Sequence, residues 1–104
     1  MTVKSVWLSY DLGVRGDYDG LYRWLDSKGA KECGDSVAYF KFDFQGDLRK
    51  SLKDEISEAI TMSSKTRIYV IYTENGSPKG SFLFGRRQAT PWLGYAGGDS
   101  ADDL

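Results

Sequence analysis

The chain has 104 residues, with 14 Lys plus Arg against 15 Asp plus Glu for a net charge of −1, one cysteine and no histidine. That length fits one domain with one core, and 40% apolar residues with five Phe, seven Tyr and three Trp exceed what a disordered chain carries. The missing histidine excludes Ser-His and Cys-His catalysis and argues against zinc, while the near-zero charge argues against a dedicated nucleic-acid binder and leaves room for a local basic patch.

In chain order, Val3 to Leu12 alternates, with Val6, Leu8 and Tyr10 on one side and Trp7, Ser9 and Asp11 on the other. That period of two is a strand, broken by Gly13 and Gly16. Asp17 is placed to cap a helix that repeats Leu21, Trp24 and Leu25 and stops at Gly29. Ala30 to Asp35 reads as a short strand before a turn at Gly34-Asp35, and the lone Cys33 within it is expected to be a small buried hydrophobe. Ser36 to Phe44 is a strand with Ala38, Phe40, Phe42 and Phe44 on one face. Asp47 caps a second helix whose stripe is Leu48, Leu52, Ile56, Ala59 and Ile60. Its Arg49, Lys50 and Lys53 read as a solvated face. Thr66 to Thr73 is a strand, Asn75 to Pro78 a turn, and Ser81 to Phe84 a last short strand.

This order predicts an α+β, ferredoxin-like β-α-β-β-α-β sandwich with an additional C-terminal strand over residues 1–87, both helices on one face. Residues 88–104 form a C-terminal extension. Its apolar stretch Thr90 to Tyr95 either folds back over an edge of the domain or presents Trp92 and Tyr95 to a protein partner; the Gly- and Asp-rich end from Gly97 is expected to be disordered. The longest apolar run, Ile68 to Tyr72, is too short to span a bilayer, and no signal-peptide stretch follows Met1. A cytoplasmic protein without a membrane partner is expected.

The sheet face that the helices leave bare carries Trp7, Tyr39 and Tyr69. So much exposed aromatic surface calls for a cover, either a second copy of the chain, nucleic-acid bases or another protein. Arg86 and Arg87, after the last strand, suit phosphate or the protection of a sheet edge equally. Asp11 ends the first strand on the bare face. It could hold a divalent ion, but a strand-end Asp more often bonds local backbone amides. Asp17 and Asp19 are read as helix N-terminal residues.

Val6-Trp7-Leu8-Ser9-Tyr10-Asp11 resembles the first strand of the CRISPR-associated protein 2 superfamily, which includes SinR-like and VapD-like proteins. Leu21 to Gly29, Ser36-Val37, Leu48 to Leu52 with Ile56, and Arg67 to Ile71 resemble its later elements. The resemblance implies a ferredoxin-like homodimer with strand-end aspartates near the dyad. It implies either a nuclease dependent on Mg²⁺ or Mn²⁺, with Asp11 as catalytic residue and metal ligand acting on RNA or DNA, or a non-catalytic module of the toxin–antitoxin or antiviral-defence kind. Under it, Glu74 to Gly80 is a long loop that departs from the family pattern.

Overall fold

The computed structural model describes residues 1–97. Of the tail from Gly97 whose composition predicts disorder, residues 98–104 lie outside the described residues. Strands β1 (Thr2–Asp11), β2 (Lys31–Glu32), β3 (Val37–Phe44), β4 (Arg67–Glu74) and β5 (Ser77–Phe84) alternate with helices α1 (Tyr18–Ser27) and α2 (Leu48–Ala59). The five strands form one sheet in the order β2-β3-β1-β4-β5, and every neighbouring pair is antiparallel. Two helices on a five-stranded antiparallel sheet are compatible with a ferredoxin-like sandwich. Among the described residues no helix is long and apolar enough to cross a membrane.

Alternation decides which side of the sheet is dry. Val6, Leu8 and Tyr10 of β1, Ala38, Phe40, Phe42 and Phe44 of β3, and Ile68 and Val70 of β4 are buried. Against them pack Leu21, Trp24 and Leu25 of α1 and Leu48, Leu52 and Ile56 of α2, with Ala59 partly buried at the margin. The i, i+3, i+4 spacing of the helical residues puts them on one stripe, which is why both helices lie on the same face. Trp24 meets Phe40 edge-on at 5.4 Å, and its indole N–H donates to Glu55 Oε1 at 3.1 Å, so the one polar atom of that ring is not stranded in the core.

Local chemistry sets the helix ends. Asp17 Oδ1 accepts from Gly20 N–H at 2.9 Å. At the other end of α1, Gly29 adopts φ +67°, and the bonds Gly29 N–H to Asp26 O and Ala30 N–H to Leu25 O close a Schellman motif. Asp47 caps α2 by accepting from Arg49 N–H at 3.0 Å.

Three expectations are corrected. Strand β2 has two residues instead of the six from Ala30 to Asp35, because the chain turns away at Cys33-Gly34. Cys33 is in consequence exposed rather than buried. Glu74 to Gly80 is not a long loop: Glu74 pairs with Ser77, Thr73 with Pro78 and Ile71 with Gly80, so β5 begins four residues earlier than its composition suggests. Asn75 (φ 53°) and Gly76 (φ 79°) form a two-residue hairpin loop of the type that needs positive φ at both positions. Arg49, Lys50 and Lys53 of α2 are exposed, as a solvated face requires. Lys50 pairs with Asp54, while Arg49 donates to the Phe82 carbonyl and Lys53 lies over the Phe84 ring.

Gly20 sits where α1 crosses α2. A Cβ there would lie 2.5 Å from the Ala59 carbonyl and 2.6 Å from Asp17 Oδ2. Gly20→Ala should therefore destabilise the protein by roughly 1–3 kcal/mol through overpacking, against the ~1 kcal/mol that Ala gains over Gly in a helix interior; urea unfolding measures the sign. Asp17 spans the same junction, its Oδ2 accepting from Thr61 N–H at 2.7 Å. The Thr61 and Gly20 amides hold its carboxyl below the ordinary value. The unfolded chain then binds the proton more readily, so this contribution is present above the ordinary carboxylate range and is lost as pH falls through the lowered value. Urea midpoints measured from neutral to acid pH should fall less steeply in Asp17→Asn than in the parent.

Candidate functional site

The bare face of the sheet has an aromatic centre and a basic end. At the centre Trp7 and Tyr39, opposite each other in the β1–β3 register, place their rings 5.0 Å apart with a 45° tilt. Tyr39 shares a 2.8 Å hydrogen bond with Ser5 Oγ. Ile71 lies across from Trp7 on β4. Trp7 remains 38% exposed and Ile71 42%.

The basic end follows from the antiparallel β1–β4 register, which sets Asp11 opposite Arg67 and Ser9 opposite Tyr69. On β5, Phe82 pairs with Tyr69, and the two rings meet edge-on at 4.9 Å. The guanidinium groups of Arg67 and Arg87 lie 5.8 and 6.0 Å from the Phe82 ring centre. A cation over a ring is held without using its N–H donors. Arg67 Nε is buried without a hydrogen-bond partner. Among the described residues the ion pairs are Lys28–Glu55 and Lys50–Asp54, so Lys65, Arg67, Arg86 and Arg87 have no carboxylate partner there.

Two cavities open at this end. One of about 680 Å³ is lined by Lys65, Arg67 and Arg86, and one of about 550 Å³ by Ser36, Tyr69, Phe82 and Arg87; Asp11 and Arg67 line both. Tyr10 reaches the second cavity. Burial, helped by Tyr22 nearby, pushes its phenol up from the ordinary value, so it stays a neutral hydroxyl in physiological conditions.

Two glycines shape the basic end. Tyr69 lies across Gly80, where a Cβ would sit within 2.9 Å of the ring. Gly85 turns the chain out of β5 at φ +79°, against the Thr66 carbonyl and Arg67 Cγ, each 2.8 Å from where its Cβ would be. No other residue fits that crossing without strain.

Of the residues that the sequence singled out, Asp11, Tyr69, Arg86 and Arg87 are brought to one end of the sheet. Trp7 and Tyr39 adjoin them at the centre. Trp92 and Tyr95 stand apart, 68% and 85% exposed, so the stretch Thr90 to Tyr95 does not bury these side chains against its own domain. Asp11 Oδ1 accepts from Gly13 N–H at 3.0 Å, the local backbone bond expected of a strand-end Asp. Among the described residues no three His, Cys, Asp or Glu side chains gather as a group that could hold a metal, and Asp11 faces arginines. Among the described residues, Asp11 is the one carboxylate that lines either cavity. Arg67 and Phe82 were not singled out from the sequence. Arg67 had a signal: it stands two residues before Tyr69 on the same strand, hence on the same face.

Replacing Gly85 with Ala should lower stability by about 1–3 kcal/mol and displace Arg67 from Phe82; urea unfolding reads the first effect, and the near-ultraviolet circular dichroism of the Tyr69–Phe82 cluster the second.

The chain matches no family model, no curated protein and no solved structure in the comparisons made.

Proposed function

We propose that this chain is a small, homodimeric, nucleic-acid-associated protein of ferredoxin-like fold, which holds the phosphates of a single-stranded nucleic acid at the basic end of its bare sheet face. The observation that carries the reading is the convergence of four cations, without carboxylate partners among the described residues, around two cavities that share Asp11 and Arg67, next to Tyr69 and Phe82. Arginines fixed over a ring keep their planar donor forks for phosphate oxygens. The Tyr69 ring and the arginine planes offer surfaces on which unpaired bases stack. A duplex hides its base faces and presents a rigid wall of phosphate to a chain of net charge −1, so a flexible single strand is the better fit. The resemblance to the CRISPR-associated protein 2 superfamily agrees with the fold and the dimer, but a fold does not establish a chemistry.

Fluorescence anisotropy with labelled single-stranded and duplex RNA and DNA tests the reading. Single strands should bind more tightly than duplexes, and the logarithm of affinity should fall with the logarithm of salt with a slope of roughly −2 to −3 for three or four phosphate contacts. Arg67→Ala with Arg87→Ala should weaken binding by at least about tenfold and flatten that slope. Asp11→Asn removes a negative charge from the site and should tighten binding. Unchanged affinity in the double arginine variant would overturn the proposal. The metal-nuclease reading predicts the opposite for Asp11: cleavage that a chelator stops and that Asp11→Asn abolishes.

A further inference from the structure

The segment that follows β5 is an anomaly of exposure. Trp92, Leu93 and Tyr95 are 68%, 81% and 85% exposed, although all three are large and carry mostly apolar surface. The segment is not featureless. Leu93 N–H bonds to the Thr90 carbonyl at 3.4 Å, Tyr95 N–H bonds to the Trp92 carbonyl at 3.0 Å, and Gly94 turns at φ +87°. A turn formed in advance reduces the ordering cost of binding. The radius of gyration is 16.4 Å, against about 13 Å for a compact chain of this length, in keeping with a segment that stands off the globule.

The same chain carries a partly exposed apolar patch, Trp7, Tyr39 and Ile71, at the centre of the bare sheet face. We infer that residues 88–97 are an exchange arm: Trp92, Leu93 and Tyr95 of one copy seat on the Trp7–Tyr39–Ile71 patch of a second copy, and the reciprocal contact completes a two-fold dimer. This rests on the homodimer of the reading above and assigns its interface. Area favours a second copy as the occupant. Large apolar side chains bury of order 150–250 Å² each, so one arm covers roughly 400–500 Å². The half-covered patch beneath it offers about half that area, so the two symmetric contacts together bury roughly 1,200–1,500 Å², within the range of a stable specific interface. The patch without the arms is too small, because Trp7 and Ile71 are already more than half covered. A symmetric contact also uses one arm and one patch per chain and leaves neither over. Trp7 and Asp11 are four residues apart on β1, about 13 Å along the strand, so an arm on the patch leaves the basic cavities open.

Complementation tests the contact in the full-length chain. One variant, Trp92→Ala with Leu93→Ala and Tyr95→Ala, lacks the arm's anchors and keeps the patch. The other, Ile71→Lys, spoils the patch and keeps the arm; Trp7→Ser is its replacement should Ile71→Lys fail to give the parent's circular dichroism. Sedimentation equilibrium should show a dimer for the parent and a dissociation constant raised by at least roughly a hundredfold for each variant alone, as expected for loss of central aromatic anchors. An equimolar mixture of the two should associate more tightly than either variant alone, though less tightly than the parent, through its one intact arm–patch contact. A parent dimer that the arm variant leaves unchanged, or a mixture that associates no more tightly than either variant alone, overturns the arm and leaves the homodimer standing. A monomeric parent at micromolar concentration overturns both.

Discussion

Strand β1 is bonded along both edges, to β3 from Thr2 to Ser9 and to β4 from Val6 to Asp11, and its side chains alternate between a dry face and a bare one. Burying Val6, Leu8 and their like contributes about 1.5–3 kcal/mol per side chain, in a molecule whose whole stability is of the order of 5–15 kcal/mol. A slip of one residue would turn Trp7, Ser9 and Asp11 into the core and Leu8 out of it. The core therefore dictates the register, and the register dictates that Asp11 faces Arg67 and that Ser9 faces Tyr69. The positions of the site's residues follow from the burial of their neighbours.

The basic end has a cost that the fold absorbs locally. Four cations around one carboxylate repel one another, and a desolvated guanidinium nitrogen without a partner is unfavourable. The Phe82 ring offsets part of this through its contacts with Arg67 and Arg87, and Gly85 lets the chain pass near enough to Arg67 to bring Arg86 and Arg87 alongside. Elsewhere, among the described residues, Lys28 and Lys50 are matched. Lys28 bridges to Glu55 while lying over Trp24 and Phe42, a neutral arrangement with nothing left to offer a ligand. The contrast between Lys28 and Arg67 separates structural charge from available charge in a chain that is nearly neutral as a whole.

Local signals in the sequence were sufficient for β1, β3, β4 and both helices, because alternation at Val6-Leu8-Tyr10 and the stripe at Leu48-Leu52-Ile56 report burial directly. They failed for the first half of β5. Pro78, Lys79 and Gly80 carry the composition of a loop, and Gly80 is there because Tyr69, eleven positions earlier, needs the space. The Asn75-Gly76 pair was the available clue to a tight hairpin. Cys33 misled for a similar reason: its exposure depends on β2 ending at Glu32, which no nearby residue announces. Of the candidate site, Asp11, Tyr69, Arg86 and Arg87 were legible as separate residues. Their convergence depends on strand order and on Phe82, which pairing alone brings into place.

The position of β1 at the middle of the sheet has a consequence during synthesis. The strand leaves the ribosome before either neighbour, and β3 follows first, covering one edge. The other edge waits for β4; Lys4 Nζ finally donates to the carbonyl of Thr73, 69 residues further along. At about 5–20 residues per second that interval is roughly 3–14 s, during which the strand that will be most deeply enclosed is an open template for any other nascent chain. Lys4, Ser5, Ser9 and Asp11 interrupt its apolar residues, and such polar interruptions keep a waiting strand from pairing promiscuously. In the finished protein Lys4 bonds to Thr73, Ser5 to Tyr39, and Ser9 and Asp11 line the basic end, so side chains that guard the strand while it waits are put to other use once it is enclosed.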